Sequence, residues 1–177
     1  MNSEQREFKI ILVGDAGVGK STWLHRCTTG DFKKTYDSTV GCNLVEYEVL
    51  TTKGLIKYNI WDLAGMEKFQ DLNEAYYIGA DAAIVMFDKS SQLSYNNRKH
   101  WFRKIRKNVE SCIPIILCGN KYDCKEVKVQ VSNQSAIREG YNKYCGMSVK
   151  SCYHWETPFA ILSKILLEDN DLQIIYE

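Results

Sequence analysis

Residues 14–21 read Gly-Asp-Ala-Gly-Val-Gly-Lys-Ser, directly behind the apolar run Phe8-Lys9-Ile10-Ile11-Leu12-Val13. This is the pattern G-x-x-x-x-G-K-[ST] placed after a predicted strand, where a phosphate-binding loop must sit. Gly14, Gly17 and Gly19 let the backbone turn tightly, so that successive N–H groups point inward around anionic oxygens. A helix starting near Lys20 adds the positive end of its dipole. The Lys20 ammonium reaches the outer phosphates, and the Ser21 hydroxyl suits Mg²⁺. The motif therefore demands a strand–loop–helix unit and points to the β- and γ-phosphates of a nucleoside triphosphate.

At 177 residues the chain is expected to form one domain with a sizeable core. Its net charge of +1 argues against broad nucleic-acid binding, which needs a clustered positive excess. No apolar run approaches the ~18 residues of a membrane span. The start, Met1 to Glu7, is too polar for a signal peptide and is expected to be flexible. Seven cysteines (Cys27, Cys42, Cys112, Cys118, Cys124, Cys145 and Cys152) form no C-x-x-C pair, and His25, His100 and His154 stand alone. Reduced thiols inside a cell are the simplest account, and a zinc site is not expected.

Apolar runs predict strands at 8–13, 43–50, 55–61, 82–88, 113–119 and 145–148. Amphipathic runs predict helices near 20–29, 67–77, 92–110, 132–143 and 157–168. Ala82 to Phe87 and Ile113 to Leu117 are apolar on consecutive positions, the mark of parallel strands covered on both faces. Ile56, Tyr58 and Ile60 alternate with polar residues, and Thr52-Lys53-Gly54 signals a hairpin. The expected class is α/β: a P-loop NTPase with a mostly parallel six-stranded sheet, one antiparallel edge pair and helices on both faces. Trp23, Trp101 and Trp155 read as core or partly buried residues, and the charged helix from Arg98 to Lys107 is expected to have a solvated face.

Ligands on such sheets bind beyond the carboxyl ends of the strands, so further functional residues are expected there. After the third strand comes Asp62-Leu63-Ala64-Gly65, a D-x-x-G. Asp62 can hold Mg²⁺, and Gly65 lets its N–H approach a terminal phosphate. After the fifth strand comes Asn120-Lys121-Tyr122-Asp123. The Asp123 carboxylate is suited to guanine, accepting from both N1–H and the exocyclic amine, a pair that adenine lacks. After the sixth strand, Ser148-Val149-Lys150 is placed to bring backbone N–H groups near the guanine O6. Between the first helix and the second strand, residues 31–41 are polar and aperiodic and are expected to form a mobile loop. In it, Thr39 offers a second hydroxyl to Mg²⁺ and its N–H to the γ-phosphate, as in a loop released on hydrolysis.

These motifs stand in the order of the Ras superfamily, and within it the chain resembles the Ran family. The resemblance is carried by Trp61-Asp62 through Gly65-Met66-Glu67-Lys68-Phe69, by Tyr76-Tyr77-Ile78, by Met86-Phe87-Asp88 and by Ile113 through Lys121, and it runs from about residue 8 to about residue 172. It implies a single small G domain over 1–177, with a first switch near 31–42 and a second near 62–77. It implies GTP or GDP as ligand with Mg²⁺, held by Ser21, Thr39 and Asp62. The nucleotide set it implies comprises Asp15, Ala16, Gly17, Val18, Gly19, Lys20, Ser21, Thr22, Phe32 (its ring on the guanine), Lys34, Tyr36, Thr39, Gly65, Asn120, Lys121, Asp123, Ser148, Val149 and Lys150. Lys20 and Thr39 are the expected catalytic groups. The implied partners are importin- and exportin-type transport receptors, an exchange factor and an activating protein. A monomer in nucleus and cytoplasm, without direct nucleic-acid contact, is expected.

The chain also departs from that family. Met66 stands where active members carry the glutamine that orients the attacking water, and a thioether is a poor acceptor with no donor. Ala16 stands where glycine is common, and its β-carbon crowds the same space. Leu63 replaces a threonine and Val149 an alanine. Slow hydrolysis with intact ground-state binding is the expectation, loss of the water-positioning group costing at least ~10-fold, or ~1.4 kcal/mol of barrier. The stretch from Glu126 to Tyr141 carries Lys128 and Arg138 but little else basic, where Ran-type proteins are strongly basic; slower association with acidic receptors follows. The sequence stops at Tyr176-Glu177, before the acidic tail that restrains the GDP form of that family, and shows no terminal prenylation cysteine. The expectation is a GTP-like form relatively favoured and no membrane anchor. Three readings stay open: a GTP-loaded binding module that occupies transport receptors, an ordinary cycling GTPase switch in nucleocytoplasmic transport, and another small-GTPase signalling role outside nuclear transport.

Overall fold

A computed structural model describes residues 6–32, 35, 38–65, 74–109 and 112–175. Strands β1 (Arg6–Val13), β2 (Cys42–Thr51), β3 (Gly54–Leu63), β4 (Ala82–Asp88), β5 (Ile115–Asn120) and β6 (Lys143–Gly146) form one sheet in the order β2-β3-β1-β4-β5-β6. Only β2 runs antiparallel, joined to β3 through the hairpin at Thr52-Lys53; the other pairs are parallel. The consecutive apolar runs of β4 and β5 are buried throughout because both faces of the sheet are covered. The architecture is the expected mostly parallel α/β sheet.

On one face, α1 (Lys20–Thr29) and α4 (Thr157–Leu166) bring Trp23, Leu24, Phe159 and Leu162 onto Ile10, Leu12, Tyr58 and Ile60. Phe159 anchors an aromatic cluster, 4.9 Å from Trp23, 4.6 Å from Tyr47 and 5.4 Å from Tyr58. On the other face, α2 (Gln92–Asn108) and α3 (Asn133–Arg138) bring Trp101, Ile105 and Ala136 onto Ile11, Val13, Val85 and Leu117. Each fully buried large side chain of this kind contributes roughly 1.5–3 kcal/mol.

Several bounds differ from the sequence reading, for local reasons. β1 opens at Arg6, because Arg6 and Glu7 pair with Ile56 and Lys57. β5 opens at Ile115 rather than 113: Pro114 has no N–H for the ladder, and its carbonyl accepts from Ala83 N–H at 2.9 Å. β6 occupies 143–146 rather than 145–148. It is set by pairing Lys143 with Ile116, and it ends where Ser148 N–H turns to the Tyr153 carbonyl at 2.8 Å. α3 is capped reciprocally by Ser132 and Ser135 and stops near Glu139, because Gly140 takes φ +95°. α2 and α4 end at Asn108 and Leu166. Of the helix expected at 67–77, residues 67–73 lie outside the described residues, and Glu74–Tyr77 form a single 3₁₀ turn.

The run from Arg98 to Lys107 has the expected solvated face, with Lys99, Arg103 and Lys107 exposed, but Arg98 itself turns inward. Arg98 is only 4% exposed and grips Glu139 with Nη2 at 2.6 and 2.7 Å and with Nε at 3.1 Å. Helical phase puts it on the same side as Trp101 and Ile105, while Lys99 and Arg103 point outward.

Candidate functional site

The carboxyl ends of β1, β3, β5 and β6 open onto a cleft of about 830 Å³. From the glycine-rich loop it is lined by Ala16, Gly17, Gly19 and Lys20, and from the first turn of α1 by Ser21 and Thr22. Phe32, Thr39 and Gly65 close one side. Asn120, Lys121, Asp123, Val149 and Lys150 form the far end.

Gly19 caps α1 in a left-handed conformation with no side-chain hydrogen bond, so the first N–H groups of the helix are left for an anion. Only glycine fits there: a β-carbon would lie 2.4 Å from Asn120 Nδ2. The Lys20 ammonium donates to the Gly14 carbonyl at 2.7 Å and to the Asp15 carbonyl at 3.0 Å. Burial pushes Lys20 down from 10.5 to about 8, against the opposing pull of Asp62 and Asp15.

Three oxygen-bearing side chains meet beside it. Ser21 Oγ donates to Asp62 Oδ2 at 2.5 Å and lies 2.7 Å from Thr39 Oγ1. Asp62 is fully buried, and its Oδ1 has no hydrogen-bond partner among the described residues. Burial raises its proton affinity, partly offset by the Ser21 hydrogen bond and the Lys20 charge. A desolvated carboxylate with one orphaned oxygen beside two hydroxyls is a donor set suited to a hard divalent cation. Mg²⁺ fits it, with Ser21, Thr39 and Asp62 as the holding groups, and would supply charge neutralisation for an outer phosphate.

At the far end, Asn120 ties three motifs together. Its Nδ2 donates to the Val18 carbonyl at 2.9 Å, and its Oδ1 accepts from Val149 N–H at 3.1 Å. Ser148 Oγ donates to Asp123 Oδ1 at 2.6 Å and holds that carboxylate at the cleft wall, with Lys150 Nζ 3.9 Å from Oδ2. Lys121, in left-handed backbone at φ +66°, reaches Asp88 Oδ2 at 2.7 Å. Burial acts to raise Asp88, but hydrogen bonds from Lys121 and Ser90 outweigh it and hold the carboxyl below its ordinary value.

Not every expected residue faces the cleft. Val18 is buried in the core, Ser148 is fully buried behind Asp123, and the Asp15 carboxylate is turned into α2. Of the N–H groups expected near a guanine O6, those of Ser148 and Val149 are already bonded to the Tyr153 carbonyl and to Asn120, because the loop folds back on β5. Phe32 lines the cleft while packing on the core, with Arg26 Cζ 5.6 Å from its ring. Lys34, Tyr36 and Met66 lie outside the described residues. Sequence reasoning missed Asn97, Asp88 and the polar task of Trp101. The only sequence signal for Trp101 was its place on a predicted helix, which reads as core.

The sequence matches the Ras family model over residues 9–168. The chain belongs to the Ras family of small GTPases, which bind GTP and GDP with Mg²⁺. The cleft has the glycine-rich loop at one end and Asn120 and Asp123 at the other.

Proposed function

We propose that this protein is a Ran-like guanine-nucleotide-binding protein that holds GTP, hydrolyses it slowly, and in the GTP form engages importin- and exportin-type transport receptors, working in nucleus and cytoplasm. The observation that carries slow hydrolysis is Met66 directly behind Asp62-Leu63-Ala64-Gly65. A thioether neither donates to a water nor accepts from it well, so the water-orienting step loses its usual group. The groups that favour the bound ground state are unaffected by that change: Lys20, the Ser21–Thr39–Asp62 oxygen set, and Asn120 with Asp123. Ala16 supports the same reading: it lines the cleft, and its N–H donates to the Gly65 carbonyl at 3.2 Å, next to the segment that carries Met66.

The Ran-like part rests on the sequence motifs around Trp61 to Phe69 and Ile113 to Lys121. The thin basic content of 126–141 favours slower association with acidic receptors than a strongly basic surface would give. Retention on an immobilised importin-β-type receptor, compared between GTP-loaded and GDP-loaded protein, tests the assignment. GTP-dependent retention is the expected result, and equal or no retention contradicts it. Membership of the Ras family favours a second reading, a cycling switch that converts its own GTP with or without an activating protein.

A further inference from the structure

Asp15 is the second residue of the glycine-rich loop, yet both oxygens of its side chain are bound by α2. Oδ1 accepts from the Trp101 indole N–H at 2.8 Å, and Oδ2 accepts from Asn97 Nδ2 at 2.7 Å. Trp101 is 2% exposed and packed among Val13, Val85 and Ile105, so its N–H is a fixed donor. The backbone of the same aspartate serves the cleft. Its carbonyl and that of Gly14 accept two of the three N–H groups of the Lys20 ammonium, which leaves a single direction for the third.

The next residue reaches the other side of the site. Ala16 N–H donates to the Gly65 carbonyl at 3.2 Å. The two segments are in such close contact that a β-carbon on Gly65 would lie 2.4 Å from Ala16 N and 2.5 Å from the Asp15 carbonyl carbon. A movement of Asp15 therefore displaces the Lys20 ammonium and the Gly65 segment together.

We propose that Asp15 is a positioning residue of the nucleotide site, and that its clamp on Asn97 and Trp101 couples α2 to the grip on the outer phosphates. The role rests on nucleotide binding by the Ras family and is independent of the transport reading. Helix α2 thereby becomes a handle: a displacement of its Asn97–Trp101 turn is transmitted to Lys20 through one side chain.

The test is release of a fluorescent GDP analogue from the Mg²⁺-loaded full chain and from four variants. Asn97→Asp sets two carboxylates against each other and opens the clamp; release is expected to accelerate about tenfold, the scale of one lost good contact. Adding Asp15→Asn to that variant restores a donor–acceptor pair, and release is expected to return to within about twofold of the parent. Trp101→Phe keeps the ring but removes the indole donor; faster release and a shifted ³¹P β-phosphate resonance of bound GDP are expected. Asp15→Asn alone is the control for the double variant, expected to lie between the parent and Asn97→Asp, since Asn97 can turn its amide to pair with it. Trp101→Phe also covers the case in which Asn97→Asp does not fold. Release unchanged in Asn97→Asp and Trp101→Phe, or a double variant no slower than Asn97→Asp, overturns the role. A lowered melting temperature with unchanged release does so too, since the clamp would then be only structural. A parent that binds no GDP would overturn nucleotide binding itself and this role with it.

Discussion

Asn120 donates its side-chain N–H to the Val18 carbonyl across 2.9 Å, joining the end of β5 to the glycine-rich loop more than a hundred residues earlier. Its other amide atom accepts from Val149 N–H, so one side chain fixes the relative positions of all three loops around the far half of the cleft. Asn120→Ala leaves a carbonyl and an N–H unpaired in buried surroundings. A loss of about 2–6 kcal/mol is predicted, at about 1–3 kcal/mol for each of the two orphaned groups. Urea unfolding at fixed nucleotide and Mg²⁺ concentration measures it, and a loss below about 0.5 kcal/mol would contradict the bridging role.

Asp123 is held by the Ser148 hydroxyl with its carboxylate at the cleft wall. Asp123→Asn exchanges an acceptor for a donor where guanine presents two N–H groups. GTP affinity is predicted to fall at least ~100-fold, or ~2.7 kcal/mol. Ser148→Ala leaves the acceptor in place but loosens it, and a smaller loss is expected. Competitive displacement titrations order the two, and a larger effect from Ser148→Ala would reverse their assigned roles.

The orphaned Asp62 oxygen predicts strong metal dependence. Chelation of Mg²⁺ from the GDP-bound parent is predicted to speed nucleotide release at least about tenfold, a difference of about 1.4 kcal/mol. In Asp62→Ala the same chelation is predicted to change release little, because the group that uses the metal's charge is gone. An undiminished chelator effect in that variant would place the cation elsewhere.

Asp88 and Lys121 predict an acid-side stability effect. The Asp88 carboxyl is held below its ordinary value of 3.8, so its contribution is fully present above that value and is lost as pH falls through the lower folded value. Between about pH 5 and about pH 3 the parent is predicted to lose more stability than Asp88→Asn, which lacks this titration. Urea midpoints at the two pH values test the sign, and equal losses would show that the pair is not coupled to folding.

The reading from sequence was strongest where function depends on contiguous spacing. The loop 14–21 and the helix behind it, bounded by Gly19 and Gly30, are set by backbone conformations that only a few residue types accept. Asp62 and Asn120 were legible because strand ends aim at one edge of a parallel sheet. What stayed hidden depends on partners distant in the chain. Nothing near Asp15 announces that Asn97 and Trp101 will take its carboxylate, and nothing near Arg98 announces Glu139. β6 was misplaced because its limits are set by pairing to β5 and by the return of Ser148 to Tyr153, not by its own periodicity.

We propose that this site binds GTP well and turns it over poorly. The most direct measurement loads the protein with GTP and Mg²⁺ and follows the ratio of bound GTP to GDP over hours, beside Met66→Gln. Persistence of GTP well beyond the roughly one-hour lifetime of an intrinsic Ras-type rate, with conversion at least ~10-fold faster in Met66→Gln, is the predicted result. Conversion of the parent on the one-hour timescale, or an unchanged rate in Met66→Gln, would contradict it and favour the cycling switch.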